Sequence, residues 1–303
     1  MTRVWLPDSP EVFGGLPVGI EADVWKGGDD FPPTADEVGY VVLPFGVKPE
    51  IVRKIGVLPN LETVQILSAG ADHVLPYLPA GVTVCNARGA HTPATAEWAA
   101  GAIIASLRDF PRFAAAQLTG HWDPKQTDSV MGKRVLIVGH GSIGEAVESR
   151  LGGWEVTIDR VARHARDGVH AMGELTGLLP NADVVVILVP VTEETKRLVN
   201  AEFLRTMKDG ALLVNAARGV IVDTGALLAE LTSGRLRAAL DVTDPEPLPD
   251  GHPLWSAPGL LLTPHVAGAI RASRDRAYGV VTAQLARLAA GEPLLNIIGP
   301  DGY

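Results

Sequence analysis

The stretch RVLIVGHGSIGEAVESRL, residues 134–151, decides the fold. It opens on an apolar run, passes through Gly139-His140-Gly141-Ser142-Ile143-Gly144 and continues into a helical pattern over 145–151. A GxGxxG spacing alone is weak. Between a strand and a helix it acquires a physical reading. Glycines permit the tight turn, let backbone amides approach a pyrophosphate and let the helix pack on the strand, while the helix amino terminus faces the negative charge. Asp159 lies 20 positions beyond Gly139, read here as the end of a strand at 156–158, where a carboxylate can accept from an adenosine ribose. The expectation is a dinucleotide site built on Gly139, His140, Gly141, Ser142, Ile143, Gly144, Asp159 and Arg160. A carboxylate there repels a 2′-phosphate and favours NAD. Arg160, Arg163 and Arg166 follow directly and keep NADP open.

Outward from this unit, short β-branched runs alternate with Ala/Leu-rich stretches, the pattern of strands joined by helices into parallel sheets. The spacing predicts strands at 3–6, 40–43, 64–67 and 82–85, then at 134–139, 156–158, 184–188, 212–215 and 260–263. Most are apolar throughout, as strands covered by helices on both faces are. The fold class is α/β, with two doubly wound halves. Residues 94–107 read as a long Ala-rich helix, 120–132 as a connector, and 272–290 as a last helix that returns to the first half.

Bulk properties narrow the partner. The 303 residues are 47% hydrophobic and 20% charged, enough for two domains. A formal net charge of −9 leaves no broad basic surface for a phosphate backbone or an anionic membrane, so a small molecule is expected. The start, MTRVWLPDSP, has no apolar leader core and the most apolar run, 184–191, is too short to span a bilayer, so the expected location is cytoplasmic. The single cysteine, Cys85, sits in an apolar run and reads as a buried structural thiol. No paired-Cys or HExxH spacing suggests a metal.

Four further stretches are specific: Val189-Pro190-Val191-Thr192, Asn215-Ala216-Ala217-Arg218-Gly219, Asp241-Val242-Thr243-Asp244-Pro245-Glu246-Pro247 and Thr263-Pro264-His265. Together with Ser68-Ala69-Gly70-Ala71-Asp72 and Thr95-Ala96-Glu97, they resemble the D-isomer-specific 2-hydroxyacid dehydrogenases. The resemblance covers most of the chain, is strongest over 132–268 and is loose in the first sixty residues. It implies a Rossmann-type cofactor domain, residues 99–272, inserted into a flavodoxin-like substrate domain of residues 1–98 and 273–303, with the active site between them. It also implies a homodimer. Thr243 stands where many members carry an aromatic residue.

The matched residues also make chemical sense on their own. Reducing a 2-oxo acid needs an anion clamp, a proton donor and a hydride source. Arg218 follows a strand at its carboxyl end, where open α/β sheets bind ligands, and its planar guanidinium can grip a carboxylate bidentately. His265 follows another strand and is the expected general acid and base. Glu246 is expected to bond its second ring nitrogen, orient the ring and favour the protonated form. The resemblance implies amides at Ala69 and Gly70 for the substrate carboxylate, Asp241 for the nicotinamide carboxamide, and Pro190 and Ala216 lining the cofactor pocket. Two alternatives share this cofactor domain: an enzyme acting on formate or phosphite, and a non-catalytic dinucleotide sensor of the corepressor kind.

Overall fold

The computed structural model describes residues 1–299, which divide into two compact units, residues 1–91 with 270–299 and residues 92–269. The sequence places the crossings near Ala99 and Ala272. The helix Thr92–Leu107 instead lies wholly in the second unit, because Thr92 and Pro93 at its first turn bond the Ser142 hydroxyl and Arg150 of that unit.

The first unit carries β1 (Thr2–Leu6), β2 (Ile20–Val24), β3 (Val38–Val42), α1 (Pro49–Ile55), β4 (Thr63–Gln65) and β5 (Thr83–Cys85). Its five-stranded parallel sheet has the order β2-β1-β3-β4-β5, a doubly wound arrangement of the flavodoxin type. Cys85 is buried, and that burial pushes its thiol up to about 11.

The second unit runs through α2 (Thr92–Leu107), α3 (Phe110–Leu118), β6 (Arg134–Val138), α4 (Ser142–Leu151), β7 (Thr157–Ala162), β8 (His170–Ala171), α5 (Leu175–Leu178), β9 (Val184–Ile187), α6 (Ala201–Thr206), β10 (Leu212–Asn215), α7 (Thr224–Thr232), β11 (Arg237–Leu240) and β12 (Leu260–Leu262). A final helix, α8 (Arg271–Ala290), belongs to the first unit, where Thr282 bonds Phe13 O and Gln284 bonds Gln65.

Seven parallel strands in the order β12-β11-β10-β9-β6-β7-β8 form the sheet of the second unit. The order reverses between β9 and β6, which is the switch point where doubly wound sheets bind ligands. Every residue of β9 and β10 is buried, and each such Val, Leu or Ile contributes roughly 1.5–3 kcal/mol by leaving water. Two apolar layers flank the sheet. One includes Leu136, Val138, Val161 and Val185, and the other Val135, Ile137, Val184 and Val186 with α2 and α4. Alternate residues of one strand therefore feed opposite layers, which removes any polar face.

One expected boundary is corrected. The apolar run ends at Ile158 and puts Asp159 at the mouth of its strand, but β7 continues to Ala162. In sequence, the charges of Asp159 and then Arg160 break the run. In the fold its guanidinium lies along α4, held by Glu148, so the charge interrupts nothing. β2, β8 and β11 are not among the expected strands: β2 and β11 lack a continuous β-branched run, and β8 has only two residues.

Candidate active site

The glycine motif follows β6, and two of its glycines are sterically required. A Cβ on Gly139 would stand 2.6 Å from the backbone carbon of Leu188, across the switch point, and the residue takes φ +106. A Cβ on Gly144 would stand 2.5 Å from Gly139 O. Gly141 differs: it is exposed, and a Cβ there would meet nothing within 4 Å. The amino terminus of α4 receives no side-chain cap, which leaves the amides of its first turn without a side-chain acceptor. This cradle fits a pyrophosphate. Ile143 packs with the apolar layer under α2, and the Ser142 hydroxyl is engaged by Thr92.

Two expected cofactor residues have other partners. Asp159 stands third in β7, opposite Leu136, and its carboxylate takes two hydrogen bonds from Arg134 Nη1, at 3.0 and 2.8 Å. It does not reach the strand end. Arg160 donates to both oxygens of Glu148, and Glu148 also accepts from His140 Nε2 at 2.6 Å. Arg160 and, second among its ligands, His140 hold the Glu148 carboxyl down at about 2. The other His140 nitrogen accepts from Arg166, which donates to His140 O as well, at 2.5 Å.

Further along the same edge, the segments after β9, β10, β11 and β12 bring the other expected residues to one end of the sheet. Pro190 O accepts from Thr195 Oγ1 at 2.6 Å, and Ala216 is half-buried after β10. Asn215 closes the next turn: its Oδ1 accepts from Ala217 N at 3.0 Å and its Nδ2 donates to Arg218 O at 3.0 Å. That turn is legible in sequence, because Asn bonds its own backbone two residues on. Arg218 then projects from a backbone fixed on both sides, with Nη1 on Ala217 O at 2.8 Å. Gly219 must be glycine, since a Cβ would lie 1.9 Å from Thr243 O. The Arg218 turn is thereby pressed against the loop that carries Glu246. Thr243 holds that loop through Pro245 O and Thr224 through Asp244 O, so its conformation does not depend on an aromatic side chain at 243.

His265 follows β12 and its Nδ1 lies 2.6 Å from Glu246 Oε1. The carboxylate accepts, so Nδ1 carries the proton and Nε2 faces away from Glu246. The histidine backbone takes φ +55, a left-handed conformation uncommon for a residue with a side chain. Asp241, nearly wholly buried, holds it there. Its carboxylate accepts from Thr263 Oγ1 at 2.6 Å, Val266 N at 2.9 Å and Ala267 N at 2.9 Å, and its carbonyl accepts from His265 N at 2.7 Å. Sequence reasoning aims this residue at the nicotinamide carboxamide alone. It misses the bracing of the His265 turn, and Thr263 with it, because both depend on which backbone amides the fold brings to a buried acid.

In the first unit, Asn86 Nδ2 donates to Ala69 O and Ser68 Oγ to Gly70 O, both at 2.9 Å, so side chains fix that turn by its carbonyls. Its two amides have no acceptor among the described residues. No group of acidic, histidine or cysteine residues among the described residues is arranged to hold a metal, and no described helix is long and apolar enough to cross a membrane.

Comparison with known proteins identifies the family. The model of the D-isomer specific 2-hydroxyacid dehydrogenase NAD binding domain matches residues 100–267. Glyoxylate reductase of Thermofilum pendens is 36% identical over 77% of this chain and 74% of its own length. D-3-phosphoglycerate dehydrogenase of Mycobacterium tuberculosis is 36% identical over 98% of this chain, which spans only 54% of that protein. A D-isomer specific 2-hydroxyacid dehydrogenase of Xanthobacter autotrophicus, crystallised with NADPH and MES, is 31% identical with a TM-score of 0.83, covering 100% of this chain and 99% of that one. The chain belongs to the D-isomer-specific 2-hydroxyacid dehydrogenase family, nicotinamide-dependent oxidoreductases of 2-hydroxy acids, and residues 100–267 are its NAD-binding domain.

Proposed function

We propose that this enzyme interconverts a small 2-oxo acid and its D-2-hydroxy acid, with glyoxylate and hydroxypyruvate as the substrate class and Arg218, Glu246 and His265 as the catalytic set. The observation that carries the reading is the 2.6 Å bond between His265 Nδ1 and Glu246 Oε1. It commits one ring nitrogen to the carboxylate and leaves Nε2 to give a proton to the substrate oxygen, or to take it back in the oxidative direction. Glu246 positions the ring and compensates its positive charge while it is protonated. Arg218 binds the substrate carboxylate and polarises the adjoining carbonyl through its guanidinium. Amides at Ala69 and Gly70 are further donors to that carboxylate. The nicotinamide, when bound, supplies or accepts the hydride. A carbonyl thus gains one hydride and one proton to become an alcohol.

The glycine cradle at 139–144 and the uncapped end of α4 support pyrophosphate binding there, with Pro190 and Ala216 along the same edge and Asp241 assigned to the nicotinamide carboxamide by the family resemblance. The name of the Thermofilum pendens relative supports glyoxylate as a first substrate. A homodimer in the cytoplasm, where nicotinamide cofactors circulate, is the working form we propose, and light scattering on the purified protein checks the first part.

The test follows nicotinamide absorbance while purified protein meets glyoxylate, hydroxypyruvate and bulkier 2-oxo acids with NADH or NADPH. Reduction that disappears in His265→Ala supports the proposal. Turnover of formate or phosphite alone, or cofactor binding without turnover of any of these, would overturn it.

A further inference from the structure

We infer that the adenosine end of the cofactor site is built for a 2′-phosphate, and that Arg163 and Arg166 at the mouth of β7 make this enzyme select NADP(H) over NAD(H). The inference rests on the dinucleotide reading of the glycine motif and sharpens it.

In a doubly wound sheet the adenosine ribose lies over the carboxyl end of the strand that neighbours the glycine loop. That end is fixed here by hydrogen bonds: Gly139 N and His140 N both donate to Val161 O, at 2.9 and 3.2 Å. The ribose position therefore falls at Ala162 and Arg163. Asp159 is three residues earlier, about 10 Å back along the strand at roughly 3.3 Å per residue, too far for an aspartate side chain to span. It is also spent on Arg134. The side chain at the strand end, Ala162, offers no acceptor for ribose hydroxyls and no charge to repel a phosphate.

The turn beyond Ala162 is cationic. Arg163, His164 and Arg166 are exposed, and Arg166 opens a tight turn closed by its paired backbone bonds with Val169. Arg166 is already docked on the glycine motif through His140 O and Nδ1. A guanidinium with several donors keeps capacity for a phosphate oxygen while making those contacts. Arg160 is a different case: Glu148, held ionised by it, neutralises its charge on the α4 side. The loop's one carboxylate, Asp167, stands next to Gly168 in the tight turn, beyond both arginines. Of the other acids near Arg166, Asp159 is bonded to Arg134, and Glu174, which lines the same cavity as Arg166, is bonded to His170 and the Ala171 amide, so the arginine-bearing segment suits a dianion.

The test is direct binding, read by calorimetry and by thermal shift, of NADP⁺, NAD⁺, adenosine 2′,5′-bisphosphate and AMP. The last two differ only in the 2′-phosphate. Charge-assisted hydrogen bonds of the kind proposed predict at least about tenfold tighter binding of each 2′-phosphorylated ligand. Arg163→Ala is expected to remove most of that margin without weakening NAD⁺, and Ala162→Asp to reverse it by repelling the phosphate and accepting from the ribose. Melting temperatures without ligand establish that each variant folds. Equal or tighter binding of NAD⁺, or a preference for NADP⁺ that survives both Arg163→Ala and Arg166→Ala, would overturn the inference while leaving the dinucleotide reading intact. Failure of all four ligands to bind would remove both.

Discussion

Two ends of the same sheet edge are built on opposite principles. After β10, β11 and β12, polar groups are buried and bonded several times over: Asn215 closes the Arg218 turn, and Asp241 accepts from three donors behind His265. After β7, the side chains are exposed and charged, on a short turn at the surface. Proton transfer and carboxylate binding, the roles proposed for the first region, need atoms held within tenths of an ångström, which its buried hydrogen bonds supply. Recognition of a phosphate tolerates looser geometry, because attraction between full charges falls off slowly with distance.

The contrast breaks most visibly at His265. Replacing it with alanine removes the proposed proton donor, and turnover should fall by about 100- to 10,000-fold, with cofactor binding and melting temperature nearly unchanged. Gly219→Ala attacks the rigidity itself. A Cβ 1.9 Å from Thr243 O forces the two loops apart, and a loss of about 3 kcal/mol or more is expected in denaturant unfolding. The same substitution at the open position Gly141 should cost under about 1 kcal/mol, which separates steric need from mere glycine content.

Asp241→Asn is subtler. The amide keeps the volume but, having one acceptor oxygen, leaves the pattern of Thr263, Val266 and Ala267 incompletely satisfied. About 2 kcal/mol of stability should be lost, and turnover should drop further than stability explains as the strained His265 backbone relaxes. A variant with normal turnover would show that the bracing is dispensable.

The smallest effect is expected at Glu148. Its carboxyl is depressed from the ordinary 4.5 to about 2 by Arg160 and His140, so the ion pair stabilises the fold above about pH 4.5 and is lost as pH falls towards 2. Glu148→Gln should therefore melt lower than the parent at pH 7, and the gap should close across that acid window. A gap of constant size would mean that the pair acts by packing rather than charge.

Several of these features are legible in the chain. Gly139 and Gly144 are where a tight strand-to-helix turn demands them, Asn215 announces its turn by side-chain chemistry, and Arg218 and His265 stand beside predicted strand ends. Asp159 is legible as a residue but not in its role. Counting 20 positions from Gly139 reaches an acid, yet the count assumes that the strand stops where its apolar run stops. The strand instead continues past Arg160, whose charge is met by a residue 12 positions earlier on α4.

By itself the sequence determined the α/β class, the glycine turn and the family, and it nominated His265, Glu246 and Arg218 for the roles proposed above. These are local matters, written in periodicity and in side chains whose chemistry does not depend on distant partners. Only the tertiary structure decided which acid braces which turn, why Gly219 admits no side chain, and where β7 ends. Each of those answers depends on atoms brought together from segments far apart in the chain, and a buried carboxylate takes its role from the donors that the fold delivers to it.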